Sequence, residues 1–262
     1  MSDAFLVLGL AAGYHYGDMK PFAASLERSG FRGRCLLFVS PTTREAERLE
    51  PHGVETLLFK RPAEMEHVPY NAWRYFLYRD WLREHGREFG RVLLTDTRDV
   101  VFQRDPASVD WPGAFCAALE DPSASVGSCP HTSHWLRGHL GDAALAEVAA
   151  EPLSCSGTSV GDPGAVLDYL ERMTARLLPF TPGPRMAGYD QGLHNHLLRR
   201  DPPPGLCFLG NGGPILTLGS KPGEPELSKA GEVLNDAGLP AALVHQYDRK
   251  PALFRRIRAL YS

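Results

Sequence analysis

Short, unbroken apolar runs alternate with segments of helical periodicity along the first half of the chain. The runs cover residues 5–10, 35–39, 54–59 and 91–95. Because they are continuous rather than alternating, they are typical of strands buried on both faces of a parallel sheet. Between the last two runs, Trp73, Leu77 and Trp81 recur at a spacing of four, which predicts an amphipathic helix over residues 70–85.

The second half of the chain continues this alternation with shorter segments. Strands are predicted over residues 113–119, 206–209, 215–218 and 241–244, helices over 18–30, 143–150 and 163–178, and a turn over 154–158. Asp18 and Asp190 are expected as N-caps. The pattern predicts an α/β fold with a mainly parallel central sheet and helices on both faces, in a single domain over residues 1–262.

Composition and charge exclude several classes of protein. Lys and Arg number 28 against 31 Asp and Glu, a formal charge of −3, which argues against a nucleic-acid binder. The five cysteines are odd in number and contain no C-x-x-C pair, so a reducing cytoplasm is the expected location. The early apolar run over residues 5–12 is too short to span a bilayer and follows no basic segment, so we expect neither a transmembrane segment nor a signal peptide.

Two carboxylates follow the predicted strand at residues 91–95. Asp96 and Asp99 are therefore expected at the carboxyl end of a sheet, the edge at which open α/β folds bind ligands. Carboxylate oxygens suit Mg²⁺ or Mn²⁺, and such an ion can bridge a bound diphosphate. The alternative is a surface turn whose acids cap the next element and pair with Arg98.

A histidine followed by two cations lies near the C-terminus. His245 comes directly after the predicted strand at 241–244, and Arg249 and Lys250 follow it. The imidazole would add a nitrogen ligand to the ion, while Lys250 or Arg249 meets phosphate oxygens. A lone histidine at such a position is more often structural, so this interpretation depends on the acids upstream.

The order of these motifs resembles that of a known enzyme family. Arg74, Asp96 to Asp99, Ser156-Gly157, Asp190-Gln191 and His245 to Pro251 follow one another as in metal-dependent glycosyltransferases of the GT-A fold, and the order is similar to that of the glycogenin and galactosyltransferase-like family 8. The resemblance covers residues 3–251. It implies a GT-A, Rossmann-like fold in which residues 1–110 bind the nucleotide, and residues 111–262 bind the acceptor and supply the late metal and diphosphate element.

The resemblance also implies a role for each matching residue. The ligands of a Mn²⁺ or Mg²⁺ cofactor would be Asp96, Asp99 and His245, and the diphosphate would meet Lys250. The donor would contact Tyr14, His15, Arg74, Asp96 and Gly157, with Asp190 and Gln191 facing the sugar and acceptor. Gly157 is expected in a tight turn that allows close approach of the donor.

Two departures from the family pattern bear on these roles. The acids are spaced D-x-x-D, one residue longer than D-x-D, and a bulge at the strand end would accommodate the difference. Lys250 lies one residue nearer to His245 than in the family, which leaves the choice between Lys250 and Arg249 open.

The expected function is transfer of a sugar from a nucleoside-diphosphate sugar, UDP rather than GDP, to a glycan or small-molecule acceptor. Retention of anomeric configuration is expected from the resemblance alone. Two alternatives stay open at this point. One is a metal-dependent phosphohydrolase of the haloacid-dehalogenase type with Asp96 as nucleophile, and the other is a non-catalytic nucleotide-sugar-binding module.

A stretch rich in histidine lies between these motifs. Cys129, His131, His134 and His139 carry possible zinc ligands, but their spacing fits no ordinary finger. The preferred interpretation is a loop lining the acceptor pocket, with Trp135 as a platform on which a sugar stacks.

Overall fold

A computed structural model describes residues 4–261 of the chain. The strands in this part are β1 (Phe5–Ala11), β2 (Arg34–Val39), β3 (Val54–Leu58), β4 (Arg91–Thr95), β5 (Val100–Phe102), β6 (Phe115–Leu119), β7 (Ser154–Gly161), β8 (Leu206–Leu209), β9 (Ile215–Thr217) and β10 (Leu243–His245). The α-helices are α1 (Tyr16–Arg28), α2 (Tyr70–His85), α3 (Pro130–Val148), α4 (Pro163–Thr174), α5 (Tyr189–Arg200) and α6 (Pro251–Leu260).

Seven strands form the central sheet, in the order β3-β2-β1-β4-β7-β6-β8. The pairs β3–β2, β2–β1, β1–β4 and β6–β8 are parallel. Only β7 runs against its neighbours, antiparallel to both β4 and β6. The prediction of an α/β fold with a mainly parallel sheet is confirmed.

A second sheet of three strands has the order β5-β10-β9. Strand β10 is antiparallel to β5 and parallel to β9, so the C-terminal part of the chain returns to the residues that follow β4. The segment between β4 and β5 crosses from the large sheet to the small one. Asp96 and Asp99 lie in this crossing.

Apolar side chains pack on both faces of the central sheet. On one face, Tyr75 of α2, Tyr169 of α4 and Leu193 of α5 belong to one buried cluster. On the other face, Phe22 of α1 packs edge-on against Phe102 of the small sheet. The continuous apolar strands are therefore covered on both sides, as such strands require.

Local predictions succeeded where a segment is regular and failed where long-range pairing decides. Helix α2 and strand β4 have the predicted bounds. Residues 154–158 belong to β7 rather than to a turn, because they pair with strands on both sides. Asp190 lies in the first turn of α5, whose N-cap is Gly188, so its prediction as the cap was wrong.

The start of α1 also differs from the prediction. His15, not Asp18, is the N-cap, and its Nδ1 accepts a hydrogen bond from the amide of Gly17. Asp18 accepts from the amide of His15 and so completes a capping box. Within residues 4–261, no helix has the length and apolar character needed to cross a membrane.

Candidate functional site

The crossing between the two sheets is fixed by its backbone and by one hydroxyl. The amide of Asp96 donates to the carbonyl of Gly157 on β7 at 2.7 Å. The hydroxyl of Thr97 donates to the carbonyl of Leu10 on β1 at 2.9 Å. These bonds hold Asp96 and Thr97 over the carboxyl ends of β1 and β4.

The small sheet brings His245 to the same place. His245 pairs with Val100 across β10 and β5, and the amide of Gln246 donates to the carbonyl of Asp99 at 2.8 Å. One ligand atom from each of Asp96, Asp99 and His245 lies within 4.8 Å of the others. Nε2 of His245 is 3.4 Å from Oδ2 of Asp96 and 3.8 Å from Oδ1 of Asp99. The structure thus brings together the three side chains that were predicted to share a cation.

The residues of this cluster fit a small divalent cation. Nε2 of His245 is buried and has no hydrogen-bond partner, although it faces two carboxylates. Gly157 carries no side chain beside them, and a methyl group there would overlap Cε1 of His245 and lie 2.6 Å from Oδ2 of Asp96 and 2.8 Å from Nε2 of His245. The two carboxylates suit Mn²⁺ or Mg²⁺, and the imidazole adds a nitrogen donor that Mn²⁺ accepts more readily than Mg²⁺ does.

Arg74 of α2 links Asp96 of the cluster to the buried Asp190. Its guanidinium, 8% exposed, donates to Oδ1 of Asp96 and, at 3.0 Å, to Oδ2 of Asp190. It also donates to the carbonyl of Ser156 at 3.2 Å. Arg74 therefore occupies one oxygen of Asp96 and leaves the other facing His245.

Burial and charge set the protonation of the cluster. Burial raises the pKa of Asp99, His245 opposes this shift and Asp96 adds to it, giving about 6. Burial acts on Asp96 in the same direction, but Arg74 and His245 lower the pKa of Asp96 to about 2. Burial lowers the pKa of His245, yet Cys155 and the two carboxylates together hold it well above its ordinary value. The cluster thus favours positive charge, from a proton or a cation, beside its carboxylates.

A cleft of about 200 Å³ opens beside the cluster. It is lined by Leu10, Ala12, Tyr14, Tyr70, Asn71, Arg74, Asp96, Thr97, Arg98, Asp99 and Arg249. Of the candidates, Tyr14, Arg74, Asp96 and Asp99 lie on this cleft. It offers aromatic side chains, the carboxylates and two exposed arginines to a ligand.

Asp190 and Gln191 do not line this cleft. Asp190 is 1% exposed and its carboxylate accepts from Arg74, from Tyr75 and from the hydroxyl of Ser156. The side-chain amide of Gln191 donates to Thr132 of α3 at 3.0 Å. In this structure Asp190 positions Arg74, and Gln191 joins α5 to α3.

His15 and Lys250 make contacts away from the cleft. Nε2 of His15 is 2.9 Å from the carboxylate of Glu45, and its other nitrogen caps α1. Nζ of Lys250 is buried and donates to the carbonyl of Lys221. Of the two cations left open by the sequence, Arg249 is the one on the cleft.

The histidine-rich stretch forms the first half of α3, so its prediction as a loop was wrong. His134 bonds to the carbonyl of Pro184 at 3.0 Å, and His139 bonds to that of Arg176 at 2.7 Å. The indole of Trp135 donates to the carbonyl of Arg185 at 2.5 Å. Among residues 4–261, the Asp96, Asp99 and His245 cluster is the only group found with ligand atoms close enough for a metal.

Some residues of the cleft were outside the predicted set. Tyr70 and Asn71 begin α2, and Thr97 and Arg98 stand between the two acids. The position of Arg98 within the D-x-x-D segment was a usable signal, since a cation there sits beside any anionic ligand of the site. Tyr70 and Asn71 carry no such local signal.

Comparison with known protein families finds none whose profile matches this chain, and comparison with curated proteins finds no match either.

Proposed function

We propose that the chain is a metal-dependent glycosyltransferase of the GT-A type that uses a nucleoside-diphosphate sugar, preferentially a UDP-sugar. One observation carries the proposal. The ligand atoms of Asp96, Asp99 and His245 converge within 4.8 Å at the side of a cleft with aromatic and cationic lining. A cation with a nearby aromatic surface and arginines is the chemistry that a nucleoside diphosphate needs.

Asp96, Asp99 and His245 would hold Mn²⁺ or Mg²⁺. When bound there, such an ion supplies electrostatic stabilisation to the negative charge that grows on a departing diphosphate. Arg74 keeps one oxygen of Asp96 hydrogen-bonded and leaves the second free for the ion. Asp190 acts through Arg74 as a positioning residue, since it is buried beneath the guanidinium.

The two arginines at the cleft are suited to the diphosphate. The side chains of Arg98 and Arg249 are 46% and 58% exposed. Their guanidinium nitrogens lie 2.6 Å and 3.6 Å from the carboxylate oxygens of Asp248, respectively. Phosphate oxygens would replace Asp248 as their partner or share them with it. This assigns to Arg249 the role that the family resemblance gives to Lys250.

The aromatic side chains would hold the base. Tyr14 and Tyr70 line the part of the cleft formed by the β1 loop and the start of α2. An aromatic face can stack on a nucleobase, which fits a nucleoside ligand better than a free phosphate ester. The acceptor would be a glycan or a small molecule, with the donor configuration retained as in similar enzymes.

A thermal-shift screen of UDP, GDP, CDP and dTDP, each with and without Mn²⁺, tests the ligand class. A ligand at 100 times its dissociation constant should stabilise the fold by about 2.7 kcal/mol. We expect the largest shift with UDP plus Mn²⁺. Asp99→Ala should abolish that shift, whereas Asp142→Ala, at an exposed position of α3, should keep it. A shift that is equal in Asp99→Ala would remove Asp99 from the site.

Turnover assays separate transferase from the alternatives. Radiolabelled UDP-sugars with Mn²⁺ should give slow release of UDP and free sugar. Release of phosphate from aryl phosphates would indicate a phosphohydrolase instead. Binding of UDP-sugar with neither reaction would indicate a binding module.

A further inference from the structure

Strand β7 contacts the imidazole of His245 at two positions. Cys155 and Gly157 are two residues apart, so both face the same side of the strand. Gly157 lies beside the ring edge that carries Nε2, where a methyl group would lie 2.8 Å from that nitrogen. Sγ of Cys155 is 3.6 Å from Nδ1, at the opposite edge. The strand therefore places no side chain beside Nε2 and contacts Nδ1 through the thiol of Cys155.

The position of the ring proton decides whether His245 can bind a cation. A neutral imidazole has one proton, and the nitrogen that coordinates a metal must carry a lone pair. Nε2 faces Asp96 and Asp99, so the proton of a metal-binding His245 must be on Nδ1. Among the described residues, the sulfur of Cys155 is the hydrogen-bond partner found for Nδ1.

We propose that Cys155 is a positioning residue of the metal centre, whose sulfur accepts the Nδ1 proton of His245 and so keeps the lone pair of Nε2 directed at a cation held with Asp96 and Asp99. This inference rests on the cation site of the proposed function. Without the sulfur, the ring proton can move to Nε2 and bond to Asp96, which closes that nitrogen to the metal. Partners that bond to the second nitrogen of a metal-bound histidine typically change metal affinity by about 10-fold to 100-fold.

Two observations besides the thiol point to a cation in front of the ring. His245 is 1% exposed, yet its Nε2 has no hydrogen-bond partner. The glycine at position 157 keeps the space between that nitrogen and Asp96 free of side-chain atoms. Cys155 itself is 2% exposed, so a role at the surface does not account for it.

Binding of Mn²⁺ to the full chain, measured by electron paramagnetic resonance of the free ion, tests the proposal. We expect Cys155→Ala to weaken Mn²⁺ binding by about 10-fold to 100-fold. Cys155→Ser should fall between, because its hydroxyl accepts a hydrogen bond but lies farther from Nδ1 than the sulfur. Cys35→Ala, which removes another buried thiol of the central sheet, should bind Mn²⁺ as the wild type does.

The effect must depend on His245. In a His245→Ala background, which binds Mn²⁺ weakly through the two carboxylates, adding Cys155→Ala should change the affinity by less than about twofold, because the sulfur has no imidazole to orient. Long-range proton–nitrogen NMR spectra, recorded at the Mg²⁺ concentration that fills the wild-type site, should place the His245 proton on Nδ1 in the wild type and shift it toward Nε2 in Cys155→Ala, whose weaker site is then incompletely filled. A purely structural role of Cys155 would not move this proton.

Each other outcome has a defined meaning. Wild-type Mn²⁺ affinity in Cys155→Ala and Cys155→Ser, with weakened binding in His245→Ala, overturns the role of Cys155 and leaves the cation site intact. An equal loss in both backgrounds indicates a packing defect and also overturns it. If the wild type binds no Mn²⁺, the cation site and the proposed function fail together. If Cys155→Ala does not fold, the Ser variant and the wild-type proton position decide.

Discussion

Strand β7 separates two buried histidines that differ in how their nitrogens are satisfied. His194, on the side of α5, bonds to the hydroxyl of Tyr169 at 2.7 Å and to that of Ser154 at 3.0 Å. His245, on the side of the small sheet, has one nitrogen without a partner and two carboxylates beside it. Both rings are 1% exposed or less.

The pKa values of the two histidines are shifted in opposite directions, because arginines lie near His194 and carboxylates near His245. Burial, together with repulsion from Arg199 and Arg74, lowers the pKa of His194 to about 3, so this ring stays neutral. His245 is surrounded by groups that favour positive charge. A buried histidine with both nitrogens bonded is satisfied by the fold itself, whereas a buried nitrogen without a partner beside two carboxylates is the observation on which the proposed cation site rests.

Removing Arg74 should have the largest effect, because this side chain neutralises the charged cluster. Arg74→Met leaves Asp190 buried without its cation and deprives Asp96 of its partner. We expect a loss of about 3–5 kcal/mol in the free energy of unfolding, measured by urea denaturation. Arg83→Met on the same helix breaks an exposed pair with Glu171 and should cost less than about 1 kcal/mol. Equal losses in the two variants would contradict the charged role of Arg74.

A side chain at Gly157 should disrupt the cation site, because it would push Asp96 and His245 out of position. Gly157→Ala places a methyl group 2.6 Å from Oδ2 of Asp96, so the carboxylate and imidazole must move apart or the strand must shift. We expect at least about a 100-fold loss of metal-dependent turnover, since displacements of about 1 Å have such effects. Gly164→Ala on α4 is the control, because a methyl group there has nothing within 4 Å. Comparable activity of the two variants would show that the space is not needed.

The free energy of unfolding should decrease in acid because of His194, which is neutral in the fold. The pKa of His194 is about 3 in the folded chain, below its ordinary value of 6.5, so protons bind preferentially to the unfolded chain between these values. The stability that depends on neutral His194 is complete above pH 6.5 and decreases as the pH falls toward 3. The loss between pH 7 and pH 5 should be about 2 kcal/mol.

Urea unfolding of the wild type and His194→Gln at pH 7 and pH 5 measures this difference. The variant should be less stable at pH 7, because it loses the paired hydroxyl contacts, but its stability should change less between the two pH values. His131→Gln, an exposed position of α3, should keep the wild-type acid dependence. An unchanged pH dependence in His194→Gln would mean that His194 does not titrate as its surroundings indicate.

The sequence predicts the parts of the fold that local pattern determines. Helix α2 and strand β4 have the predicted bounds because apolar spacing and an unbroken apolar run act within one segment. Strand β5 has only three residues and pairs with β10, about 140 residues further along, so no local pattern revealed it. Strand β7 contains serine and glycine, which favour turns, and it is extended because β4 and β6 pair with it.

The same division holds for the candidate site. The grouping of Asp96, Asp99 and His245 followed from residue type, position after strands and family resemblance, and the structure brings these side chains together. The contacts of His15 and Lys250 could not be predicted, because Glu45 and the carbonyl of Lys221 reach them through tertiary packing. The sequence does not distinguish the neighbouring cations Arg249 and Lys250, and it is the fold that places Arg249 on the cleft.

The smallest expected effect is a gain in stability from Asp99→Asn in cation-free protein. Burial and the nearby Asp96 raise the pKa of Asp99 to about 6, above the ordinary 3.8, so ionising Asp99 is harder in the folded chain than in the unfolded one. The destabilisation from Asp99 is absent at low pH and develops as the pH rises through about 4 to 6. Linkage sets the cost of this ionisation at about 3 kcal/mol at pH 7.5. Removing the charge recovers part of it, and we expect a gain of about 0.5–2 kcal/mol because the amide of asparagine is itself buried there.

Chemical denaturation with a chelator or with Mn²⁺, at pH 7.5 and pH 4, distinguishes this electrostatic strain from ordinary packing. With chelator, Asp99→Asn should exceed the wild type at pH 7.5 and match it at pH 4, where both side chains are neutral. With Mn²⁺ at pH 7.5 the order should reverse, because only the wild type keeps both carboxylates for the cation. Asp142→Asn, an exposed carboxylate on α3, should differ little from the wild type in all conditions. A lower stability of Asp99→Asn with chelator at pH 7.5 would mean that the carboxylate supports the fold, as His194 does, and that the two sides of β7 are alike.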